Sequence, residues 1–256
     1  MSDSELNVTT PEDLEFATSL SKHQALLRET AFKGDTSRLK ELLSNSEFYW
    51  LADAVYQEAF ETAIGSDGIL DDGEEVIKWW MVTSINSTGC FQERLLIVTT
   101  SHVIRVKYDF KKKVVERFEK TSLDEIIYVH HGKLNFTTSK FSPSAFFLKK
   151  EPDHHAVRIA RSVPLSGPED PTVAVREDDM QRTFYPIVGS NVRYTEEDVT
   201  LEIAYSMVAA KVVYSEANNV EFDPETFASN TSIQVHVKGG LFSIGYNSLG
   251  FGLKRT

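Results

Sequence analysis

The 256-residue sequence contains a single cysteine, Cys90, so no disulfide can form within the chain. A chain of this kind suits a reducing compartment. No apolar run approaches the ~20 residues that a membrane-spanning helix needs. The first sixteen residues are acidic and contain no apolar segment typical of a signal peptide. We therefore expect a cytoplasmic protein.

The sequence patterns of common catalytic and cofactor sites are also missing. A Sac-type phosphatase needs a thiolate nucleophile with an arginine six residues later, so that one loop holds the phosphate. Here Leu96 stands six residues after Cys90, and Arg94 stands only four residues after it. The chain also lacks a GxxxxGK phosphate loop and a glycine-rich dinucleotide motif. We predict no catalytic residues and no cofactor, and hence a non-enzymatic protein.

Two histidine pairs and an acidic loop raise the question of a metal ion. Adjacent residues of a strand point to opposite faces, so neither His130-His131 nor His154-His155 can chelate an ion from one face. In the acidic loop, residues 65–75, placing Gly73 at the sixth position of a calcium-binding loop leaves one carboxylate, Asp72, among the first three ligand positions. We predict that this loop is a solvated linker and that the chain binds no metal.

Charge is unevenly distributed along the chain. The net charge of −11 argues against binding to nucleic acid. Residues 1–75 carry a net charge of −12, residues 76–150 carry +7, and residues 151–256 carry −6. Either the acidic segments pack near the basic face of the same molecule, or that face meets an anionic surface.

Helix signals occupy the first part of the chain. After a disordered start over residues 1–9, Thr10 supplies an N-cap and Pro11 the first helical position, so a helix is predicted to about residue 29. Further helices are predicted over residues 37–43 and 47–64, where apolar residues recur at helical spacing. Residues 10–64 are therefore predicted to form an N-terminal helical segment.

Short β-rich runs joined by tight turns follow, which is typical of an antiparallel meander. Strands are predicted over 76–85, 91–99, 102–108, 114–118, 126–129, 145–148, 156–160 and 183–188. Residues 132–144 are polar and loop-like with one further candidate strand over 134–137, and residues 162–182 form a loop. A capping box at Thr195 opens a helix predicted over 195–215.

Two motifs resemble a known family. The run Glu93-Arg94-Leu95-Leu96-Ile97-Val98-Thr99, followed by Lys107-Tyr108-Asp109-Phe110, resembles the Sac-two homology (hSac) domain. This domain occurs in Mover-type presynaptic proteins, also called tumour-protein-regulated-gene-like, and beside the catalytic domain of one inositol-phosphate phosphatase. The segments Ile244-Gly245-Tyr246 and Leu249-Gly250-Phe251 are similar to the end of the Mover-type proteins. The glycine-rich tail is shorter than in that family, and the 162–182 loop lacks the tryptophan-containing segment of the family.

The resemblance implies an α+β fold: a pleckstrin-homology-like bent antiparallel β-sandwich or barrel over residues 74–253. Helix 195–215 would cap it, the N-terminal helices would pack on it, and residues 233–253 would form a C-terminal strand tail. The implied function is a non-catalytic adaptor in vesicle or endosomal membrane traffic, for example on synaptic vesicles, that forms a homodimer. The alternatives are a module that binds phosphoinositides or anionic membranes, and an enzyme with an unfamiliar site.

Two groups of residues are candidates for binding. The basic group lies at the end of one predicted strand and the start of the next, and comprises Arg105, Lys107, Lys111, Lys112 and Lys113. It is a solvated turn, a surface weakly attracted to anionic membranes, or a headgroup site, although the preceding 86–89 loop carries no positive charge. The apolar group comprises Phe242, Ile244, Tyr246, Leu249 and Phe251. It either docks on its own sheet or builds a symmetric dimer.

Overall fold

The structure, a computed structural model, describes residues 11–44, 54–85, 91–138, 154–162, 181–187 and 195–237. The helices of this part are α1 (Pro11–Phe32), α2 (Thr36–Ser44), α3 (Ala54–Ile64), α4 (Glu196–Asn218) and α5 (Pro224–Phe227). The strands are β1 (Val76–Ile85), β2 (Phe91–Thr99), β3 (His102–Asp109), β4 (Val114–Ser122), β5 (Ile126–Thr138), β6 (His154–Arg161), β7 (Gln181–Pro186), β8 (Ala228–Asn230) and β9 (Ile233–Val237).

All these strands belong to one sheet. Its order is β4-β3-β2-β1-β7-β6-β5, and each of these neighbouring pairs is antiparallel. Strands β8 and β9 both pair with β5 in the parallel direction. Strand β1 therefore lies in the middle and joins the β1–β4 meander to the β5–β7 half of the sheet.

The sheet curves around α4. This helix contacts strands from β2 to β5, which are four steps apart in the sheet and would lie about 19 Å apart if the sheet were flat. Glu119 of β4 and Arg161 of β6 lie 3.5 Å apart, although their strands are five steps apart in the sheet and would be about 24 Å apart if it were flat, so the strands must bend towards each other. Helices α1 and α2 also pack on α4, and as a result most of the circumference of α4 is buried.

The two largest of the three hydrophobic cores among the described residues lie on opposite faces of the sheet. On the face towards α4, here the α4 face, Trp80 and Val82 pack with α1, α2 and α4. On the other side, the α3 face, Trp79 and Met81 pack with α3, and Phe60 stacks on Trp79 with 4.9 Å between ring centroids. Because β1 is covered on both faces, its sequence is a nearly continuous apolar run rather than an alternating one.

Several predictions made from local patterns are confirmed. Strands β1 and β2 have the predicted bounds, and helices α1 and α2 begin within one residue of the predicted starts. The capping box is present: the Asp198 amide donates to the Thr195 hydroxyl, and the Thr195 amide donates to the Asp198 carboxylate at 2.8 Å. The mixed α+β class is also confirmed.

Other predictions need correction. The candidate strand over 134–137 is confirmed, but the flanking residues 132, 133 and 138 are not loop-like, because β5 continues from Ile126 to Thr138. The sheet is not wholly antiparallel, since β8 and β9 run parallel to β5. The N-terminal helices do not all pack on the sheet as predicted. Helix α1 packs mainly on α4, and α4 itself lies against one face of the sheet. In the described part the hydrogen-bonded order is open, with β4 at one end, so the pleckstrin-homology-like closure stays a prediction.

Some predicted features lie outside the described residues. These are the disordered start over 1–9, the strand over 145–148, most of the 162–182 loop, and the tail beyond Val237. The proposed self-association residues Phe242, Ile244, Tyr246, Leu249 and Phe251 belong to that tail, and Cys90 is outside as well.

Candidate functional site

The α4 face of the sheet has one strongly basic region, which we call the arginine face. Six cationic side chains from five strands share this face: Arg94, Arg105, Lys107, Arg117, Arg161 and Arg182. The strand register places them there. Arg94 pairs with Val82, Arg105 with Leu96, and Arg182 with Ile159, and each of these partners belongs to the core under α4.

The alternation of β3 explains how a strand supplies both core and site. Arg105 and Lys107 lie on the α4 face and are only partly buried, whereas Ile104, Val106 and Tyr108 are buried in the core under α3. Successive side chains of a strand point to opposite faces, so the apolar residues hold the strand in place. Two of the five predicted basic residues, Arg105 and Lys107, therefore lie on the arginine face.

Carboxylates neutralise only part of this charge. Glu119 pairs with Arg105 at 2.6 Å and with Arg161 at 3.5 Å, Glu116 pairs with Lys107, and Glu125 pairs with Arg161. Leaving Arg182 aside, three carboxylates among the described residues face five cationic groups, a formal excess of two positive charges. The Arg161–Glu119 contact also joins β6 to β4 across the curved sheet, so both halves of the sheet contribute to one site.

The excess of positive charge has its largest effect on the pKa of Arg94. The residue is 5% exposed, and burial together with the charges of Arg105 and Arg117 lowers the pKa of its guanidinium to about 10. Arg94 still carries a full charge at neutral pH. Its guanidinium donates to the Glu93 carbonyl at 2.6 Å and to the Gln92 side chain, and a bound anion would relieve the repulsion from its cationic neighbours.

Neutral polar groups complete the arginine face. The Arg105 guanidinium reaches past β2 and donates to the Ser84 hydroxyl of β1 at 3.4 Å. Guanidinium groups form two parallel hydrogen bonds to one carboxylate or phosphate, which makes them suitable for recognising planar or tetrahedral anions. The arrangement is therefore suited to binding an anion with several oxygen atoms.

The other three predicted basic residues lie elsewhere, in the turn between β3 and β4. Lys111, Lys112 and Lys113 are exposed there. Lys113 has φ 56° and its ammonium lies 2.8 Å from the Glu58 carboxylate of α3, while the ammonium of Lys112 lies 3.3 Å from Asp109. The Glu58 contact shows the acidic N-terminal part of the chain pairing with the basic sheet.

The acidic loop is exposed at seven of its eleven positions, as predicted, but it is not an unattached linker. Ile69 is fully buried, and the Glu74 side chain is only 1% exposed. The Glu74 carboxylate accepts from the Thr99 hydroxyl and from the Asp71 amide at 2.8 Å, and it lies 2.9 Å from Nδ1 of His102. These contacts fasten the loop to β2 and β3.

Asp71, Glu74 and His102 bring their ligand atoms within 4.8 Å of one another, a spacing that could hold a metal ion. However, the Lys120 ammonium lies 2.6 Å from Asp71 and 3.7 Å from Glu74. An ammonium group thus already supplies the positive charge that these carboxylates need. The prediction based on the spacing of a calcium loop could not find this cluster, because His102 and Lys120 come from the sheet.

Replacing Glu74 with glutamine is expected to destabilise the protein by about 2 kcal/mol at pH 7, because several hydrogen bonds to a buried charge are weakened. Burial raises the pKa of Glu74, but the hydrogen bonds from Thr99, Asp71 and His102 outweigh it and hold the pKa below its usual value. The stabilisation is therefore full above the pKa of an unfolded glutamate and is lost as the pH falls through the lower folded pKa. Urea unfolding at several pH values measures this effect. A difference between the two proteins that stays constant down to pH 3 would contradict it.

The two histidine pairs of the sequence lie on β5 and β6, next to other protein side chains. Neighbours on one strand point to opposite faces, as predicted, but His131 of β5 and His155 of β6 share the α4 face. Burial and the charges of His130 and His155 lower the pKa of His131 to about 4, so His131 is neutral at physiological pH. His154 contacts the Glu196 carboxylate at 2.9 Å and stacks on Tyr185. Among the described residues, these histidines form no group with metal-binding spacing.

Within the described part of the chain, no helix has the length and apolar character needed to cross a membrane.

Comparison with known proteins identifies one related family. A family model described as "hSac2: Inositol phosphatase" matches residues 52–153, about two fifths of the chain. A search of the curated proteins gives no match. Among solved structures, the hSac2 domain from the human phosphoinositide phosphatase Sac2 is 14% identical, covers 70% of this chain and 90% of its own, and has a TM-score of 0.41. The resemblance to the hSac domain is thus confirmed over residues 52–153, the stretch that contains α3, β1–β5 and four of the six cationic residues of the arginine face.

Proposed function

We propose that this protein is a non-catalytic regulatory protein or adaptor of vesicle or endosomal membrane traffic. Its hSac-like sheet binds the phosphorylated headgroup of a membrane lipid on the arginine face. The resemblance to Mover-type proteins supports a role in membrane traffic. The proposal also includes closure of the sheet in the manner of a pleckstrin-homology domain. The protein acts at the cytoplasmic surface of the membrane and contacts it peripherally.

The observation that carries the proposal is the excess of positive charge on a partly buried surface. Side-chain exposure is 17% for Arg105, 24% for Lys107 and 7% for Arg161. Charges in such a site are less screened by salt and solvent than charges in an exposed turn. A multivalent phosphate would therefore gain more from the arginine face than from Lys111, Lys112 and Lys113.

The family model supports the class of ligand. Its description names an inositol phosphatase, and an inositol phosphate offers several phosphate groups to guanidinium donors. The sequence lacks the cysteine–arginine spacing of Sac-type catalysis, since Leu96 stands where that arginine would be. We therefore propose recognition of the headgroup rather than its hydrolysis.

Liposome co-sedimentation tests the proposal with two matched double variants. Arg105→Gln with Lys107→Gln removes two charges from the arginine face, and Lys111→Gln with Lys112→Gln removes two from the adjacent turn. At about 1 kcal/mol per basic group near the membrane, the first variant should bind phosphoinositide vesicles about thirtyfold more weakly. The turn variant should bind nearly as well as the unmodified protein.

The control vesicles contain phosphatidylserine at the same total charge. Equal binding to both vesicle types, with equal losses in both variants, would mean diffuse attraction and no headgroup site. Failure of the unmodified protein to bind either vesicle would refute the proposal. Melting temperatures measured in parallel show whether each variant remains folded.

Self-association is a further part of the proposed function. The hSac domain that this chain resembles is associated with dimers, and two surfaces could carry the contact. One is the tail that includes Phe242, Ile244, Tyr246, Leu249 and Phe251. The other is the outer edge of the β1–β4 meander.

A further inference from the structure

Strand β4 forms one end of the sheet. Its nine residues, Val114–Ser122, pair with β3 on one side, and within the described part of the chain no strand pairs with the other side. Two of its apolar side chains are exposed, Val114 by 45% and Phe118 by 38%. An exposed edge strand with apolar side chains is a template for pairing with another chain.

The sequence of this edge is complementary to itself. Residues 116–120 read Glu-Arg-Phe-Glu-Lys. In an antiparallel pair of two such strands centred on Phe118, Arg117 lies opposite Glu119 of the second copy. Two-fold symmetry repeats this contact, giving two pairs of opposite charge beside one pair of phenylalanines.

The faces of the sheet agree with this register. Phe118 lies opposite Val106 on the α3 face, whereas Arg117 and Glu119 lie opposite Lys107 and Arg105 on the α4 face. A two-fold axis perpendicular to the sheet places the α3 faces of both copies on one side and their α4 faces on the other. Residues of the same face therefore meet. Phe118 then meets Phe118 on one face, and Arg117 meets Glu119 on the other.

Neighbouring registers are unfavourable. Centring the pair on Glu119 places two glutamates directly opposite each other, and centring it on Arg117 does the same for two arginines. Like charges directly opposite each other destabilise an antiparallel pair. The bulge at Glu116, between the pairs Lys107–Arg117 and Tyr108–Val115, ends the regular ladder on that side. The contact is therefore short and its register is specific.

We propose that two copies of this chain associate through antiparallel pairing of β4 with β4, centred on Phe118. The inference rests on the self-association in the proposed function and names its surface. Both arginine faces then lie on the same side of one continuous sheet. A single membrane could engage both copies.

Cysteine crosslinking tests the register. Phe118→Cys is made in a Cys90→Ser background and treated with copper phenanthroline as the oxidant. Directly opposite residues have Cβ atoms about 4.5–5.5 Å apart, close enough for a disulfide after a small adjustment. We expect a covalent dimer on a non-reducing gel. The matched control is Val114→Cys, which is at least as exposed but would lie about 26 Å from its symmetry mate.

Equal crosslinking of the Phe118 and Val114 cysteine variants would indicate random collision and overturn the proposal. So would a protein that is dimeric in light scattering but does not crosslink at Phe118→Cys, particularly if deleting residues 239–256 makes it monomeric. A monomer at micromolar concentration would overturn both this surface and self-association itself. None of these results concerns the binding of the monomer to phosphoinositide vesicles. The vesicle experiment therefore tests the headgroup proposal separately.

A charge reversal provides the second measurement. Arg117→Glu places a glutamate opposite Glu119 twice in the dimer, and the dimer dissociation constant should rise about tenfold. Arg117 is exposed, so the melting temperature of the monomer should change little. Unchanged dimerisation in this variant would contradict the register.

Discussion

Replacing Glu202 with alanine is expected to destabilise the protein by about 4 kcal/mol, because it removes the carboxylate that compensates a buried ammonium group. The Glu202 side chain is 1% exposed and that of Lys78 is 9% exposed, with 3.7 Å between the charged groups. Trp80 donates to the Glu202 carboxylate at 3.4 Å, and Lys78 also donates to the Leu43 carbonyl at 2.5 Å. This cluster joins α4, β1 and the end of α2 within the main core.

The pH dependence of the Glu202→Ala variant identifies the cause. Burial lowers the pKa of Lys78, and the Glu202 carboxylate opposes that shift. Without the carboxylate, the pKa of Lys78 in the folded state falls further below its pKa in the unfolded state. At pH values between these two pKa values, the unfolded state binds more protons than the folded state. The variant should therefore regain stability as the pH rises through that alkaline range. Urea unfolding monitored by circular dichroism measures it.

Two controls separate this effect from loss of packing. The double variant Lys78→Met with Glu202→Leu removes both charges and should recover most of the stability, since replacing a buried ion pair with apolar residues is often neutral or favourable. Glu216→Ala on the same helix is exposed and should change stability by less than about 0.5 kcal/mol. If the double variant is as unstable as the single one, the buried charge is not the cause.

Replacing Gly132 with alanine is expected to cost about 3 kcal/mol. Gly132 lies inside β5 with φ 148°, a backbone conformation that favours glycine and costs other residues about 1–3 kcal/mol. An added Cβ would also lie 2.5 Å from the Thr231 carbonyl oxygen and 3.1 Å from the Asn230 side chain. The Thr231 amide donates to the His131 carbonyl at 2.9 Å, so the chain between β8 and β9 cannot move away without breaking that bond.

Gly73→Ala is the matched control for Gly132→Ala. Gly73 also has a positive φ, 78°, but a Cβ there would meet nothing within 4 Å. It should show only the conformational cost, about 1 kcal/mol. Hydrogen exchange should locate the damage of Gly132→Ala in β8, β9 and the second half of β5. Equal losses of stability in the two variants would mean that the contact with Thr231 is unimportant.

The sequence predicts the elements whose signals are local. The alternation in β3 places Arg105 and Lys107 on one face, and the capping box at Thr195 marks the start of α4. These patterns depend on neighbouring residues only. The hSac resemblance of residues 93–99 is likewise local and agrees with the family match over 52–153.

Features that depend on distant residues could not be predicted in this way. Gly132 suggests a loop because glycine weakens a strand, yet the close approach of Thr231 requires glycine inside β5. The arginine face is missed in part because Arg161 and Arg182 come from β6 and β7, which are far along the chain from Arg105 and Lys107 of β3. The Glu74 cluster is missed because its partners His102 and Lys120 belong to other strands.

The central position of β1 also affects how the chain emerges from the ribosome. One edge of β1 pairs with β2, which follows directly, but the other edge pairs with β7, which begins about 100 residues later at Gln181. At a synthesis rate of about 5–20 residues per second, that edge waits about 5–20 s for its partner. The apolar surface formed by Trp80 and Val82 stays uncovered for longer still, until α4 has been synthesised. Nascent-chain arrest at residue 160 should therefore leave a chaperone-binding species that arrest beyond residue 237 does not.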